Sequence, residues 1–340
     1  MAAEGIESSA EIAVLGAGSW GTALAIQLAS AGRSTLLWGR DPTELAQMAA
    51  QRRNTRYLPD AIFPAALQIE PDLGSTIAAS RDLLIAVPSH ALRTLLEKIA
   101  VHRGDDTRLA WATKGFELST GLLPHQVVAE VLGESLPGAV ISGPTFAREV
   151  GAGLPTAMTV ATTDPQFANE LAQRLSSRNF RAYTSSDVVG VEIGGAVKNV
   201  LAIGAAMSDG LGFGANTRIA LITRGLVEMT RLGVALGARR ETFMGLAGLG
   251  DLVLTCTDNQ SRNRRFGLAL ASGVSVEAAQ QSIGQVVEGV LAARAVRAVA
   301  QRMNVEMPIC EQVYRIVHEG IAPKEAVREL MSRALKPESE

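Results

Sequence analysis

A glycine-rich turn near the start of the chain constrains the fold most strongly. The apolar run IAVL at 12–15 leads into the turn GAGSWG at 16–21, and helical character follows. A strand, a G-x-G-x-x-G turn and a helix in this order predict a dinucleotide-binding unit. Gly16 permits the tight turn, Gly18 lets the backbone approach a pyrophosphate, and Gly21 allows the helix to pack closely on the strand.

Further apolar runs follow at the spacing of an α/β protein, with helical patterns between several of them. The candidate strands are 35–38, 67–70, 83–87, 109–113, 139–142 and 157–161. This alternation predicts an open, mostly parallel sheet, in which ligands bind beyond the carboxyl ends of the strands. Lys114 follows one such end, and Gly143 and Thr145 follow another.

The end of the second strand bears on the choice of cofactor. An NAD-selective site usually has an acid there, which binds the ribose 2′-OH. Here Gly39 and Arg40 follow the strand at 35–38, and a guanidinium can pair with the 2′-phosphate of NADP. We therefore favour NADP over NAD. The alternative is that Arg40 is a solvated loop residue and Asp41 caps the next helix.

Helical periodicity dominates from 187 to 334, and one helix there carries an unexpected lysine. The stretch 188–210 is apolar on nearly every side, which predicts a helix in a protein core. Gly194 and Gly195 lie one turn before Lys198. A glycine within a helix costs about 1 kcal/mol relative to alanine, so we expect another group to approach this face closely. A buried ammonium needs partners or a lowered pKa, so we favour a functional Lys198 over a lysine that reaches from the core to the rim.

Two further segments of the second half offer charged and polar groups. A glycine-rich turn leads into Asp251, which as a buried acid either needs a partner such as a lysine or caps a helix. Ser261, Arg262 and Asn263 lie at the start of a helical run, where free amides, a hydroxyl and a guanidinium predict a phosphate site. The alternative is a solvated basic turn.

Composition excludes several classes of protein. The chain of 340 residues is long enough for two domains, and its formal net charge of −2 offers no attraction to nucleic acid or to an anionic membrane. The apolar helix carries Glu192, Lys198 and Asp209, which argues against a membrane span. Cys256 and Cys310 match no metal spacing, and the N-terminus lacks the basic segment of a signal peptide. We therefore predict a cytoplasmic protein without a metal.

Five motifs follow one another along the chain: GAGSWG at 16–21, SGPTFA at 142–147, GGAVKN at 194–199, GLGD at 248–251 and NQSRN at 259–263. In order and separation they resemble the bacterial NAD(P)-dependent glycerol-3-phosphate dehydrogenase family, and the match runs from about 11 to 334. The resemblance implies an α/β Rossmann-type N-terminal domain at 11–186. It also implies an all-α C-terminal domain at 187–334, similar to that of 6-phosphogluconate dehydrogenase. A disordered tail is predicted at 1–10 and a C-terminal tail at 335–340.

The resemblance implies an activity and partners as well. A homodimer would interconvert sn-glycerol 3-phosphate and dihydroxyacetone phosphate with NADP or NAD, and would supply glycerophospholipid synthesis. The partner is thus a small phosphorylated substrate. Neither a nucleic acid nor insertion into a membrane is expected.

The resemblance also assigns roles residue by residue. Lys198 would accept or donate the proton, with Lys114 and Asp251 as the other catalytic residues. The substrate contacts would be Lys114, Gly143, Thr145, Lys198, Asp251, Ser261, Arg262 and Asn263. The cofactor contacts, including the three glycines of the first turn, would be Gly16, Gly18, Ser19, Trp20, Gly21, Arg40, Lys114, Ala147, Arg262, Val286 and Glu288. Proton transfer requires a Lys198 pKa near neutrality, which desolvation and Lys114 favour and Asp251 opposes.

Two alternatives stay open. One is another two-domain dehydrogenase, of the 3-hydroxyacid or 6-phosphogluconate type, which also joins a Rossmann domain to helices and can use a lysine. The other is a catalytically silent NADP-binding sensor. A sensor would keep the glycine turn but could lose the lysine, the acid and the Ser-Arg-Asn cluster, and all three are present.

Overall fold

The computed structural model describes residues 10–334 and 337. The predicted tails therefore lie outside the described residues, apart from Pro337 and from Ala10, which begins the first strand. The chain forms two compact units. Unit 1 extends to Glu192 but does not include Leu118–Gly121. Unit 2 comprises Leu118–Gly121 and the chain from Ile193 onwards. This division falls inside a helix, whereas the sequence places the domain boundary just before it.

Unit 1 is built on a twisted sheet of parallel strands. In chain order the strands are β1 (Ala10–Leu15), β2 (Thr35–Trp38), β3 (Arg53–Asn54), β4 (Leu58–Ile62), β5 (Leu67–Ile69), β6 (Ser80–Ile85), β7 (Arg108–Trp111), β8 (Gly138–Ser142), β9 (Thr156–Ala161) and β10 (Phe180–Ser185). Eight of them form one sheet in the order β10-β9-β8-β7-β6-β1-β2-β5, and β3 and β4 form a separate antiparallel hairpin. In the large sheet every pair of neighbouring strands is parallel except β8 and β9, which are antiparallel to each other. The predicted open, mostly parallel sheet is confirmed.

The predicted strands differ from the observed ones in two ways. Some limits shift by one to three residues: β6 runs from 80 to 85 rather than from 83 to 87, β7 ends at 111 rather than 113, and β5 ends at 69 rather than 70. The edge strand β10 and the β3–β4 hairpin were not predicted. β10 has the sequence FRAYTS and only Phe180 is buried, so it lacks the apolar signal of an inner strand.

The described part of unit 1 contains seven complete helices: α1 (Ser19–Ser30), α2 (Pro42–Gln51), α3 (Leu73–Ala78), α4 (Ser89–His102), α5 (Pro124–Leu132), α6 (Ala147–Gly151) and α7 (Pro165–Leu175). Aspartate side chains accept backbone N–H bonds at the starts of three of them: Asp41 for α2, Asp72 for α3 and Asp164 for α7. α1 is the most buried, with every residue from Gly21 to Ala29 inside the core. The strand–turn–helix order thus places the start of α1 at the carboxyl end of a central strand.

Helices make up the second half, as predicted. They are α8 (Val188–Gly210), α9 (Gly214–Ala235), α10 (Asp251–Thr257), α11 (Arg262–Ala271), α12 (Val276–Ile283), α13 (Glu288–Arg302), α14 (Pro308–Glu319) and α15 (Pro323–Met331). A 3₁₀ turn (Arg240–Met244) and a π-helical turn (Leu246–Gly250) precede α10. No strand occurs between residues 187 and 334, all of which are described.

The helix α8 has the buried character that its sequence predicts. Asp187 caps it by accepting a 2.9 Å hydrogen bond from Gly190 N, and residues 190–203 are all buried. Among the described residues it is the one helix long and apolar enough to cross a membrane. The protein itself buries 83% of its most apolar window, as expected for a core helix.

A buried carboxylate joins α9 to α14. Glu228 is 3% exposed and accepts hydrogen bonds from the backbone N–H groups of Ile309, at 2.7 Å, and Cys310, at 3.2 Å. Burial raises the pKa of Glu228 to about 7, from an ordinary value of 4.5. Between pH 4.5 and about 7 the folded chain therefore holds a proton that the unfolded chain has released.

The stability of the fold is expected to depend on pH through this group. Because the folded pKa is raised, the free energy of unfolding should fall as the pH rises from 4.5 to about 7. The change for Glu228 is about 3 kcal/mol. Glu228→Gln stays neutral and should lack this pH dependence. In urea unfolding, the free energy of unfolding of the variant relative to that of the wild type should therefore rise between pH 5 and pH 7.5. The exposed Glu277→Gln serves as the control. A constant difference between Glu228→Gln and wild type would contradict the assignment.

Candidate active site

The three glycines of the first turn have the environments predicted for them. Gly16 has φ of +124°, and a Cβ on it would lie 2.5 Å from the carbonyl oxygen of Ala86. A Cβ on Gly21 would lie 1.8 Å from the oxygen of Gly16, whereas one on Gly18 would meet no atom within 4 Å. The first and third glycines therefore allow close packing, and the second leaves space in front of the backbone.

The start of α1 adds donors to this space. The first N–H groups of a helix have no intrahelical acceptor, and no side chain caps α1 at Gly18. The indole N–H of Trp20 is buried and lacks a hydrogen-bond partner among the described residues. Free amide donors at a helix start are the chemistry that a pyrophosphate requires, so the turn fits a dinucleotide.

Other predicted residues of unit 1 follow the carboxyl ends of neighbouring parallel strands. The Thr113 hydroxyl donates to the oxygen of Val87 at 2.7 Å, so the segments after β6 and β7 are in contact, and the half-buried Lys114 comes next. After β8, Gly143 is buried and accepts a 3.4 Å hydrogen bond from the Thr145 hydroxyl. The half-buried Ala147 begins α6.

The segment after β2 bears on the cofactor. Asp41 accepts hydrogen bonds from Thr43 N at 2.9 Å and from Glu44 N at 3.2 Å, so it caps α2 as the alternative interpretation predicts. Arg40 is exposed. Its guanidinium is therefore accessible to an anion, and the preference for NADP stays a prediction.

In unit 2, Lys198 lies in a buried polar cluster. It forms an ion pair with Asp251, and the two residues are 7% and 1% exposed. Lys198 Nζ also donates to the Thr255 hydroxyl at 3.1 Å, which in turn donates to the backbone oxygen of Asp251 at 2.6 Å. Asp251 is thus the partner of the lysine, and the helix-capping alternative is wrong. Thr255 was not predicted, although it follows Asp251 by four residues and so shares its helix face.

Gly194, one turn before Lys198, has the predicted close neighbour. A Cβ on Gly194 would lie 2.2 Å from the backbone oxygen of Ala247 and 3.5 Å from the Cα of Gly248. Both neighbours belong to the π-helical turn that leads into Asp251. The glycine therefore lets the segment that carries the acid lie directly on the helix that carries the lysine.

The start of α11 is more tightly integrated than a solvated turn. The Ser261 hydroxyl caps the helix by accepting from Arg264 N at 3.2 Å. Arg262 is half-buried, and its Nη1 donates to the oxygen of Val286 at 3.0 Å. Two predicted cofactor contacts, Arg262 and Val286, are thus adjacent to each other.

An asparagine beside the lysine connects three helices. Asn199 is 5% exposed; its oxygen accepts from Asn263 Nδ2 at 2.9 Å, and its amide donates to Glu288 Oε2 at 3.1 Å. The Asn263 oxygen accepts from Gly289 N at 2.9 Å. Asn199 therefore links Asn263, a predicted substrate contact, to Glu288, a predicted cofactor contact. The role of Asn199 was not predicted, although a polar amide next to Lys198 in an apolar helix was the available signal.

The remaining arginines of the basic segment differ from Arg262. Arg264 is 8% exposed and turns inward, with Nη1 donating to Asp209 Oδ2 at 2.6 Å and to the oxygen of Cys256 at 2.9 Å. Arg265 is exposed. Arg264 thus stabilises the segment from inside the fold, and Arg262 is the arginine that lies beside other predicted ligand residues.

Neither cysteine adds reactive chemistry near the lysine. Burial raises the pKa of Cys256 to about 12 and holds that of Cys310 well above its usual value. Both thiols therefore stay protonated at neutral pH. In the described part of the chain no group of three or more His, Cys, Asp or Glu could hold a metal ion.

Comparison with known families covers both units. The model of the NAD-dependent glycerol-3-phosphate dehydrogenase N-terminus matches residues 11–168, and that of the C-terminus matches residues 187–328. The glycine turn lies within the first match, and the Lys198 cluster within the second. The two matches therefore include every predicted site residue.

Relatives and solved structures agree with these matches. Proteins named glycerol-3-phosphate dehydrogenase [NAD(P)+] from Shewanella frigidimarina and Klebsiella pneumoniae are each 57% identical, over 98% and 97% of this chain and 99% and 98% of their own lengths. The crystal structure of glycerol-3-phosphate dehydrogenase from Coxiella burnetii is 50% identical with a TM-score of 0.92, over 96% of this chain and 99% of its own. The chain belongs to the NAD-dependent glycerol-3-phosphate dehydrogenase family.

Proposed function

We propose that this protein is an NAD(P)-dependent sn-glycerol-3-phosphate dehydrogenase, which interconverts dihydroxyacetone phosphate and sn-glycerol 3-phosphate. The observation that carries the proposal is the buried Lys198, held by Asp251 and Thr255 in a chain of this family. The named activity of relatives at 57% identity supports the same conclusion. A sensor that only binds NADP would have no need for a buried ion pair of this kind.

The proton transfer is assigned to Lys198. A bound nicotinamide would supply the hydride to C2 in reduction and would take it in oxidation. In reduction, the Lys198 ammonium gives one proton to the carbonyl oxygen and becomes neutral; in oxidation, the neutral amine takes the hydroxyl proton. Asp251 and Thr255 hold Nζ in one position, because each occupies one of its hydrogen-bonding directions.

The phosphate is assigned to the start of α11. There Ser261, Arg262 and Asn263 combine a hydroxyl, a guanidinium and an amide with the positive end of the helix dipole. From unit 1, we assign Lys114, Gly143 and Thr145 as further substrate contacts. Holding the phosphate fixes C2 for the transfer of hydride and proton.

The dinucleotide is assigned to the glycine turn of unit 1. Gly16, Gly18 and Gly21 shape the turn, and the backbone N–H groups of Ser19 and Trp20 are assigned to the pyrophosphate. The remaining cofactor contacts are assigned as the family resemblance implies: Arg40, Lys114, Ala147, Arg262, Val286 and Glu288. The exposed Arg40 favours NADP, since it can pair with the 2′-phosphate.

A single assay tests the proposal. Dihydroxyacetone phosphate should drive the oxidation of NADPH, and of NADH with a higher KM, as followed by the loss of absorbance at the nicotinamide band. Turnover with a 3-hydroxyacid and none with glycerol 3-phosphate would instead identify the other type of two-domain dehydrogenase. Binding of NADPH without any turnover would identify a sensor.

Arg262 is expected to matter for the phosphorylated substrate. Arg262→Ala should lower kcat/KM for dihydroxyacetone phosphate by about 10- to 100-fold, since a hydrogen bond to a charged group is lost. Arg265→Ala is the matched control, because Arg265 is exposed on the same helix turn and should change kcat/KM by less than about twofold. Steady-state kinetics with both variants measures this. Equal effects of the two substitutions would show that only the net charge of the segment matters.

We further propose that the protein is a cytoplasmic homodimer that supplies glycerol 3-phosphate to glycerophospholipid synthesis. The family resemblance supports this, and α9 and its flanking turns expose several large apolar side chains, among them Phe213, Ile219 and Met244. Light scattering after size exclusion should give twice the chain mass of 35.7 kDa. A mass of one chain would contradict the dimer.

A further inference from the structure

The β3–β4 hairpin carries a fully buried asparagine that lies against the glycine turn. Asn54 is 1% exposed, and its Nδ2 donates to the oxygen of Ala17 at 3.0 Å and to the Thr22 hydroxyl at 2.9 Å. Its own oxygen accepts from Tyr57 N at 3.3 Å. Ala17 precedes Gly18 and Thr22 follows Gly21, so one side chain binds both ends of the turn.

These bonds fix the direction of a backbone donor. The Ala17–Gly18 peptide is trans, so its C=O and N–H point in opposite directions. Because Asn54 binds the C=O of Ala17, it directs the N–H of Gly18 away from the hairpin. The second bond holds Thr22, whose own N–H donates to the oxygen of Gly18 at 2.9 Å in the first turn of α1. The orientation of the turn therefore depends on Asn54 at two points.

The hairpin itself is firmly held. Leu58, Ala61 and Phe63 are 4%, 8% and 4% exposed and belong to the core of unit 1. The guanidinium of Arg52 donates to the oxygen of Leu67 at 2.7 Å and to that of Pro64 at 2.6 Å, which closes the base of the hairpin. Asn54 is thus fixed to the core rather than carried by a mobile loop.

We propose that Asn54 is a positioning residue for the dinucleotide: it holds the glycine turn in the shape that directs its N–H groups at the pyrophosphate. The proposal rests on the proposed function, since the pyrophosphate is that of NAD(P). The competing explanation is purely structural, with Asn54 serving only to close its own hairpin through Tyr57. The two differ in what they predict for cofactor affinity.

Cofactor binding without substrate provides the test. Asn54→Ala should raise the Kd for NADPH, measured by nucleotide fluorescence on the whole protein, by about tenfold. The KM for NADPH should rise in parallel, while the KM for dihydroxyacetone phosphate at saturating NADPH stays within about twofold. Asn179→Ala is the matched control, because it removes a 2.9 Å bond from a side-chain amide to the oxygen of Gly153 elsewhere in unit 1. That variant should leave the Kd unchanged.

The outcomes separate this proposal from the proposed function. If Asn54→Ala has a lowered Tm but the wild-type Kd for NADPH, the role is structural and the proposal is overturned. If Asn54→Ala does not fold, Thr22→Val replaces it, since that change keeps the shape and removes one acceptor. Thr22→Val should raise the Kd about threefold, and an unchanged Kd overturns the proposal. A wild-type protein that binds neither NADPH nor NADH contradicts the proposed function itself.

Discussion

Lys198→Arg is expected to lower kcat with dihydroxyacetone phosphate by about three to four orders of magnitude, and to leave the Kd for NADPH within about twofold. Arginine keeps the positive charge that pairs with Asp251, but it does not give up its proton in a protein. The substitution therefore preserves the ion pair and removes the proton transfer. A large loss of kcat in this variant separates acid–base catalysis from simple charge stabilisation.

Arginine tests this role more cleanly than alanine. Lys198→Ala would leave the 1% exposed carboxylate of Asp251 without its cation, and breaking a buried pair in this way costs about 3–5 kcal/mol of stability. Lys98→Arg, at an exposed position of α4, is the matched control and should keep the wild-type kcat. Single-turnover measurements at saturating NADPH report the chemical step directly. If Lys198→Arg retained kcat within about tenfold of wild type, another group would have to move the proton.

The parts of the fold that could be predicted from sequence are those with local physical signatures. The glycine turn is one, because the tight turn at Gly16 and the close helix–strand contact at Gly21 each demand a glycine. The inner strands and α8 are others, since each buries a continuous apolar run. At these places one short segment determines its own conformation, so no knowledge of distant residues is needed.

The parts that were missed depend on contacts between distant segments. β10 is a polar edge strand that forms because β9 offers it a partner, and β3 contains only two residues. Thr255 and Asn199 each carry a weak local signal, but they join the site only because α10 and α13 contact α8. Arg264 lies in the same basic segment as Arg262, but the fold pairs it with Asp209, whose Oδ2 accepts from Arg264 Nη1 at 2.6 Å.

Asp251 shows how the two kinds of information combine. The glycine-rich segment before Asp251 indicated an unusual backbone turn. For the acid itself two roles were open from the sequence, a pair with a lysine or a helix cap. In the structure Asp251 directly follows the π-helical turn and forms the ion pair with Lys198. Turns of π-helix inside helical segments are frequent at functional sites, in keeping with this position.

Gly194→Ala is expected to lower kcat about 100-fold or more without changing the Kd for NADPH. The added Cβ would lie 2.2 Å from the backbone oxygen of Ala247, so the π-helical turn has to move away from α8. Asp251 directly follows that turn, and a displacement of about 1 Å at a catalytic group can cost about 100-fold in rate. The substitution thus impairs Lys198 indirectly, because it displaces the partner Asp251, although it adds only one methyl group.

Gly204→Ala on the same helix is the matched control. Its Cβ would lie 3.1 Å from a methyl group of Val313, a side-chain atom that can shift by a few tenths of an ångström. Alanine in a helix is favoured over glycine by about 1 kcal/mol, so this variant should keep the wild-type kcat and a similar or higher Tm. Measuring kcat, Tm and the NADPH Kd for both variants separates a local displacement from a general loss of stability. A Gly194→Ala variant with the kcat of Gly204→Ala would show that Asp251 keeps its position by other means, and that the close approach at Gly194 serves packing alone.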